Sequence, residues 1–380
     1  MTVDQTQSYT VESTHVLLGD EPKLVHGWFL YSGGRITAMG KGPCPTTPDA
    51  KTDLIIAPGF VDVHCHGGGG ASFTEGPEAA RQVIATHLER GTTSLVASLV
   101  SAEWGELMRQ ADALKPLVES GELLGVHLEG PWLAPSRKGA HALECLTAPT
   151  PAQVADVVAR KDFIKMVTIA PELDGAIDAI EELSEAGVMC AIGHTEADFT
   201  TTVEAIEAGA RGATHLFNAM PDLHHRDPGP VLAILEDPRV FCELIVDGHH
   251  VDLHLALTVL QYLGSRAVLI TDAMAAAGLG DGSYTLGGLP VDVTDGVARL
   301  ADDPSHAIAG STIRLTDAAV KAVGDGVTSA QSIAAASRQP ADYLGFLDVG
   351  RIRPGARADF LAFRPSGKLV RVVRGGNIVA

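Results

Sequence analysis

Basic residues are scarce in this chain. Its 380 residues carry 28 Lys and Arg against 47 Asp and Glu, a net charge of −19. That balance argues against a nucleic-acid or anionic-membrane partner, both of which need a basic footprint. A phosphorylated small molecule remains compatible, because a few local cations serve one phosphate. Cysteine is sparse too: Cys44, Cys65, Cys145, Cys190 and Cys242 are odd in number and scattered, with no CxxC. Reduced thiols in a cytoplasmic protein fit this usage better than a disulfide framework. No apolar run reaches the ~18 residues of a membrane span. The opening "MTVDQTQSYT" has no basic n-region and no apolar h-region, so an export signal is not expected. No internal repeat or low-complexity segment is present.

What the chain does have is a core: 46% of its residues are hydrophobic, enough for one large domain or two modest ones. Eight short apolar runs read as strands: Leu54–His66, Thr92–Val100, Leu123–Pro131, Phe163–Glu172, Val188–Thr195, Gly212–Met220, Phe241–His250 and Ala267–Met274. Helix-like segments such as "EAARQVIATHLERG" and "GAIDAIEELSEAG" separate them, often closed by a glycine stop. Eight strands alternating with helices predict an α/β fold of the (β/α)8 barrel type. A doubly wound open sheet is the alternative, but no GxGxxG or GxxxxGK[ST] follows the first strand. The two ends, 1–57 and 345–380, are β-like and turn-rich. Neither could hold a core alone, so they are expected to form one composite β-sandwich domain beside a catalytic barrel of 58–344.

The stretch "GFVDVHCHGGGG" poses the functional question. In a strand, His64 and His66 project to one face and Cys65 to the other. A histidine pair alone is weak evidence for a metal. In this barrel, however, catalytic groups sit at the C-terminal ends of strands, and the polar residues gather there. Strand one ends in His64 and His66, strand three in Glu129, strand five in His194 and strand six in His215. Strand seven ends in Asp247, His249 and His250, and strand eight in Asp272. Structural polar residues would not favour one end of each strand. A mixed set of imidazoles and carboxylates suits a divalent metal, one ion or two: Zn2+ first, with Fe2+, Mn2+ and Co2+ as candidates. Glu129, His194 and His215 could hold one ion with a position open to water. His64 and His66 could hold a second, with Glu129 as bridge. A metal lowers the pKa of bound water to ~7. Asp272, at the edge of the metal set, suits the general base and then the general acid. Hydrolysis of an amide or related bond follows.

Plainer readings apply elsewhere. His15, His26, His87, His254 and His306 lie away from the strand ends and are taken as ordinary histidines. His127 points inward one layer below Glu129, for packing or for support of a ligand. Asp247 is read as supporting its loop. Gly67–Gly70 are read as allowing a tight turn.

The motifs "PGFVDVHCHG", "HLEGPWLAPSRKGAH", "GHTEAD", "THLFNAM", "VDGHHVD" and "TDAM" resemble the amidohydrolase superfamily. Their combination and order resemble its N-acetylglucosamine-6-phosphate deacetylase family. The C-terminal "GRIRPGARADFLAF" is similar to the strand that closes the superfamily's β-sandwich. The resemblance implies Glu129, His194 and His215 on the main metal and Asp272 as acid/base. It implies that His141 contacts the sugar and helps polarise the acetyl carbonyl. His250, Asn218 and Ala219 would bind substrate, and Ile308, Ala309 and Gly310 would line the sugar site. Arg226 would meet the phosphate from the partner subunit of a homodimer. Trp132 stands where Phe is common in the family. Two alternatives stand beside this: another amidohydrolase acting on a cyclic amide or as a deaminase, and a catalytically dead assembly module. "TIAPE" offers no lysine ligand for the former, and no ligand is lost as the latter requires.

Overall fold

The apolar run from Leu54 to His66 is two strands in two different sheets. In the computed structural model, Ala50–Pro58 pairs with Tyr9–Leu17, whereas Phe60–Cys65 pairs with Thr92–Val100. Gly59 is the hand-over point: a Cβ there would lie 2.2 Å from Thr93 Oγ1. Periodicity could not show this break, because both strands are apolar. The structure describes residues 7–304 and 307–380. The reading of the extreme N-terminus and that of His306 fall outside the described residues.

Eight parallel strands follow one another around the larger sheet: Phe60–Cys65, Thr92–Val100, Gly125–Glu129, Ile164–Ile169, Met189–Ile192, Gly212–Ala213, Phe241–Ile245 and Ala267–Ile270. The last returns to the first through a bridge between Cys65 and Ala273 and through the Asp272 N–H, which donates to His64 O at 2.8 Å. The barrel is thereby closed, as the alternation of segments predicts. Its strands are buried along their whole length in the first three cases, because helices cover the outer face. Several of those helices start at side-chain caps: Thr150 with Gln153 as a capping box, Asp198 accepting from Thr201 N, and Asp252 accepting from His254 N. No helix among the described residues is long and apolar enough to cross a membrane.

The smaller sheet joins both ends of the chain into a β-sandwich. Its order is Asn377–Ile378, Leu369–Arg374, Phe360–Phe363, Ala50–Pro58, Tyr9–Leu17, Leu24–Ser32 and Arg35–Lys41. Here burial alternates: Gly27, Phe29 and Tyr31 face inward between part-exposed neighbours, the pattern of a sheet with one wet face. Phe29 meets Phe360 edge to face at 5.1 Å, so the two ends of the chain share one core. A third sheet was not anticipated. Gly282–Leu286, Leu289–Thr294 and Val297–Leu300 form an antiparallel meander after the eighth barrel strand. Its turns are Gly287-Gly288 and Asp295-Gly296, all four at positive φ. Gly-Gly and Asp-Gly between alternating residues are strong hairpin signals, so this element was legible and was passed over.

Glu12 is an acid buried in the sandwich sheet. It accepts from Lys51 Nζ at 2.8 Å, from the Cys44 N–H at 3.0 Å and from His26 Nε2 at 3.1 Å. The Lys51 contact leads in drawing its pKa down from 4.5 to about 2. A depressed carboxyl stabilises the fold above its unfolded pKa and loses that contribution as pH falls towards 2. Urea midpoints of Glu12→Gln should therefore fall less steeply than the parent's between pH 4.5 and 2.5; parallel curves would show that Glu12 does not drive the acid loss.

Candidate metal centre and active site

At the mouth of the barrel one carboxylate is met by five imidazoles. Glu129 Oε1 lies 3.1 Å from His215 Nε2, 3.3 Å from His194 Nε2 and 3.5 Å from His64 Nε2. Its Oε2 lies 3.1 Å from His66 Nε2 and 3.3 Å from His141 Nε2. Asp272 Oδ1 is 3.2 Å from His66 Nε2 and 3.6 Å from His64 Nε2. All seven residues are buried. Burial alone would raise the Glu129 pKa, yet charge on His64 and hydrogen bonds from His141, His194 and His215 hold it well below the carboxylate range. For Asp272, burial is likewise outweighed by His66 and His64, and its pKa is lowered.

The backbone that delivers these groups is bent on purpose-built turns. His194, His215 and Asp272 lie just past their strands with φ of 49°, 29° and 49°, and Ala219 has 52°. Non-glycine residues rarely adopt this region, and each such residue costs ~1–3 kcal/mol. Close approach helps too. Gly139 lies so near that a Cβ there would sit 3.0 Å from His194 Cε1. The four glycines after His66 form a tight hairpin: Gly67–Gly68 pair with Ala71–Ser72, and Gly69 and Gly70 turn at positive φ.

For four of the five imidazoles the partner of the second ring nitrogen fixes the tautomer; His215 Nδ1 has none among the described residues. His66 Nδ1 faces the Ser98 carbonyl at 3.1 Å and His194 Nδ1 the Arg137 carbonyl at 2.7 Å. His64 Nδ1 faces Glu243 Oε2 at 2.9 Å. These acceptors require N–H at Nδ1, so once the rings give up their second proton the Nε2 lone pair of all three is aimed into the site. His141 is the reverse. Its Nδ1 accepts the Ser101 N–H at 3.3 Å, so its Nε2 carries the proton and donates towards Glu129. Burial leads in lowering the His141 pKa to about 4, so it is a neutral donor. Facing lone pairs lie only 3.1 Å apart for His64 and His66, and Nε2 of His194 and His215 only 3.0 Å apart. Such a set repels itself unless protons or a metal ion sit among it. The residues fit a divalent metal.

The site opens into a cavity of about 370 Å3 lined by His66, Glu129, His141, His194, His215, Asn218, Ala219, His250, Asp272, Ile308 and Gly310, a size typical of small-ligand sites. His64 lies beneath it. Ala309 is buried against the meander and turns away from the cavity, its N–H on Ala298 O. Arg226 is exposed, with Nη1 2.9 Å from His225 Nε2, and does not line this cavity. Among the described residues it makes no ion pair with Asp222 or Asp227. Asp247 supports its loop, accepting from the N–H of His249 and His250 and from His250 Nδ1 at 2.6 Å. His127 lies below the site, between Ser98 Oγ and Thr168 Oγ1. Asp62, Cys65 and His87 form a further cluster. There His87 Nε2 donates to Gly67 O at 2.9 Å and Asp62 accepts from Thr271, so no lone pairs converge. Sequence reasoning missed Glu243, Ser98 and Ser101. Glu243 had a signal: it is the single acid in the strand "FCELI", between Cys242 and Leu244, which pack outward.

Fold and site together define a metal-dependent hydrolase on a (β/α)8 barrel. Residues 55–379 match the amidohydrolase family. The chain is 36% identical to the N-acetylgalactosamine-6-phosphate deacetylase of Escherichia coli O157:H7, over 92% of this chain and 95% of that protein. It is 33% identical to the N-acetylglucosamine-6-phosphate deacetylase of Bacillus subtilis, over 93% and 92% respectively. A solved mutant N-acetyl-D-glucosamine-6-phosphate deacetylase from Mycobacterium smegmatis, in complex with N-acetyl-D-glucosamine-6-phosphate, superposes with a TM-score of 0.93. It shares 40% identity, covering 98% of this chain and 99% of that one. The chain belongs to the amidohydrolase family.

Metal binding is coupled to protons. For His66, burial opposes charge, but Asp272 and Glu129 outweigh it and raise the pKa to about 9. At neutral pH a cation must therefore expel a proton, and affinity should rise with pH up to about 9. Calorimetric titration with Zn2+ at pH 7, in buffers of different protonation enthalpy, should show proton release; a buffer-independent heat would contradict it.

Proposed function

We propose that this chain hydrolyses the acetamide of N-acetylglucosamine 6-phosphate to acetate and glucosamine 6-phosphate. The observation that carries this reading is one carboxylate, Glu129, gripped by five imidazoles opposite Asp272 in a single cavity. Glu129, His194 and His215 would hold the main ion, and His64 and His66, with Glu129 and Asp272, a second. Zn2+ is our choice of metal, from the imidazole and carboxylate donors. When bound, such a cation supplies Lewis acidity and lowers the pKa of water.

The chain's own residues do the rest. Asp272 accepts a proton from the attacking water as the new C–O bond forms. His141 Nε2–H donates to the carbonyl oxygen as charge builds there. Asp272 then returns its proton to the amide nitrogen as the C–N bond breaks, leaving acetate and an amine. His250, with Nδ1–H held by Asp247, presents Nε2 to a sugar hydroxyl. Asn218 uses its amide nitrogen on the carbonyls of His215 and Leu216, which leaves its oxygen for substrate. Ala219, Ile308 and Gly310 form the sugar-facing segments, with Ala309 fastening them to the meander from behind.

The phosphate needs a cation. The cavity's Arg137 is paired with Glu196, and the neighbouring Lys138, which does not line the cavity, with Asp303 at 3.1 Å. Arg226, exposed and without an ion pair among the described residues, is our choice, delivered from the partner subunit of a homodimer. We divide the chain into a composite β domain of 1–57 and 345–380 and a catalytic barrel of 58–344. We place it in the cytoplasm, a choice supported by five free thiols. A second reading has support from the E. coli relative: the galactosamine epimer of the same phosphate.

Acetate release by zinc-loaded protein should be seen with at least one of the two N-acetylhexosamine 6-phosphates and vanish with chelator. No release from either would reject the reading. Asp272→Asn should bind substrate but lose at least ~100-fold in kcat, the lower range for a general acid or base; near-parental turnover would remove its role. Arg226→Ala should raise KM for the phosphorylated sugar by ~10-fold or more, for loss of a charge-assisted contact, and leave the unphosphorylated sugar unchanged. Equal effects on both would move the phosphate site elsewhere.

A further inference from the structure

Among the described residues, His64 is the one imidazole of the centre whose second nitrogen is held by a carboxylate; that of His141 faces the Ser101 hydroxyl and that of His215 has no partner. His66 and His194 rest on backbone carbonyls, which no substitution removes. His64 Nδ1 instead meets Glu243 Oε2 at 2.9 Å, and both side chains are fully buried. The two come from the first and seventh barrel strands, so the contact spans the barrel interior rather than one strand pair. The same oxygen takes the His215 N–H at 3.3 Å. Glu243 thus touches a residue of each half of the centre, but through the ring of His64 and only through the backbone of His215.

The other carboxylate oxygen, Oε1, and the buried Tyr343 hydroxyl make no well-formed hydrogen bond among the described residues, although Glu243 and Tyr343 face each other closely enough to interact. Space around them is tight: a Cβ on Gly212 would lie 1.9 Å from that hydroxyl. A buried carboxylate with one oxygen so poorly satisfied is costly in an apolar interior. Fastening two strands does not account for it, because an apolar pair would do so without that penalty. Fixing an imidazole does, since a carboxylate accepts only. It imposes N–H on Nδ1, frees Nε2 and raises the ring's donor strength towards a cation.

We propose that Glu243 is the positioning residue that makes His64 a metal ligand, and so decides whether this centre holds a second ion. The inference rests on the metal-dependent reading above. Its readout is metal stoichiometry rather than acetate release, so one can fail without the other. Equilibrium dialysis against graded free Zn2+, with metal analysis, should give two ions for the parent and one for His64→Asn. Glu243→Gln should keep the tighter ion within about threefold and weaken the second by ~10- to 100-fold, the usual effect of losing such a partner. Two ions at parental affinity, equal weakening of both, or a single ion in the parent would each overturn it. A measurement on the unaltered sequence guards against a variant that fails to fold. Long-range 1H–15N spectra of 15N-histidine, zinc-loaded protein should show His64 as the Nδ1–H tautomer, assigned by its loss in His64→Asn. An Nε2–H signal would also overturn the proposal.

Discussion

The Glu129 carboxylate organises this molecule. It lies at the end of the third barrel strand, and imidazoles from the first, fifth and sixth strands and from the loop after the third converge on it. Such convergence needs a closed barrel, because only closure brings the first strand back beside the eighth. It also needs the strained turns at His194, His215 and Asp272, which aim side chains inward where a relaxed strand end would not. The strain is tolerated because the strands below are buried on both faces and hold the turns in place.

Much of this was legible before any coordinates. Strand-like runs of similar length, separated by helical segments with glycine stops, gave the barrel. Polar residues at one end of each run gave the centre, because catalytic groups in this architecture gather there. The hairpin role of Gly67–Gly70 and the loop-supporting role of Asp247 also followed from local chemistry. What stayed hidden depended on partners far apart in sequence. Tautomers could not be read, since they depend on Ser98, Arg137 and Ser101, each brought in from another segment. Glu243 drew no reading, because its partner His64 lies 179 positions away.

Two errors have a local cause. The first strand was drawn too long because periodicity cannot divide two apolar strands joined by Gly59. The meander at Gly282–Leu300 was passed over although its turn residues announced it. Leu286 from that meander lines the cavity, and Gly287 packs so close to Val100 that a Cβ would meet Val100 Cγ2 at 2.5 Å. The addition is therefore a wall of the site rather than an ornament.

The seam of the barrel gives a last consequence. The eighth strand is fastened to the first by a backbone bond between Asp272 and His64, residues that also face each other through their side chains. The junction that completes the cylinder and the place where chemistry occurs are one location. A cation shared by strand one and strand eight would act as a rivet across that joint, linking the cylinder's mechanical integrity to its cargo of metal.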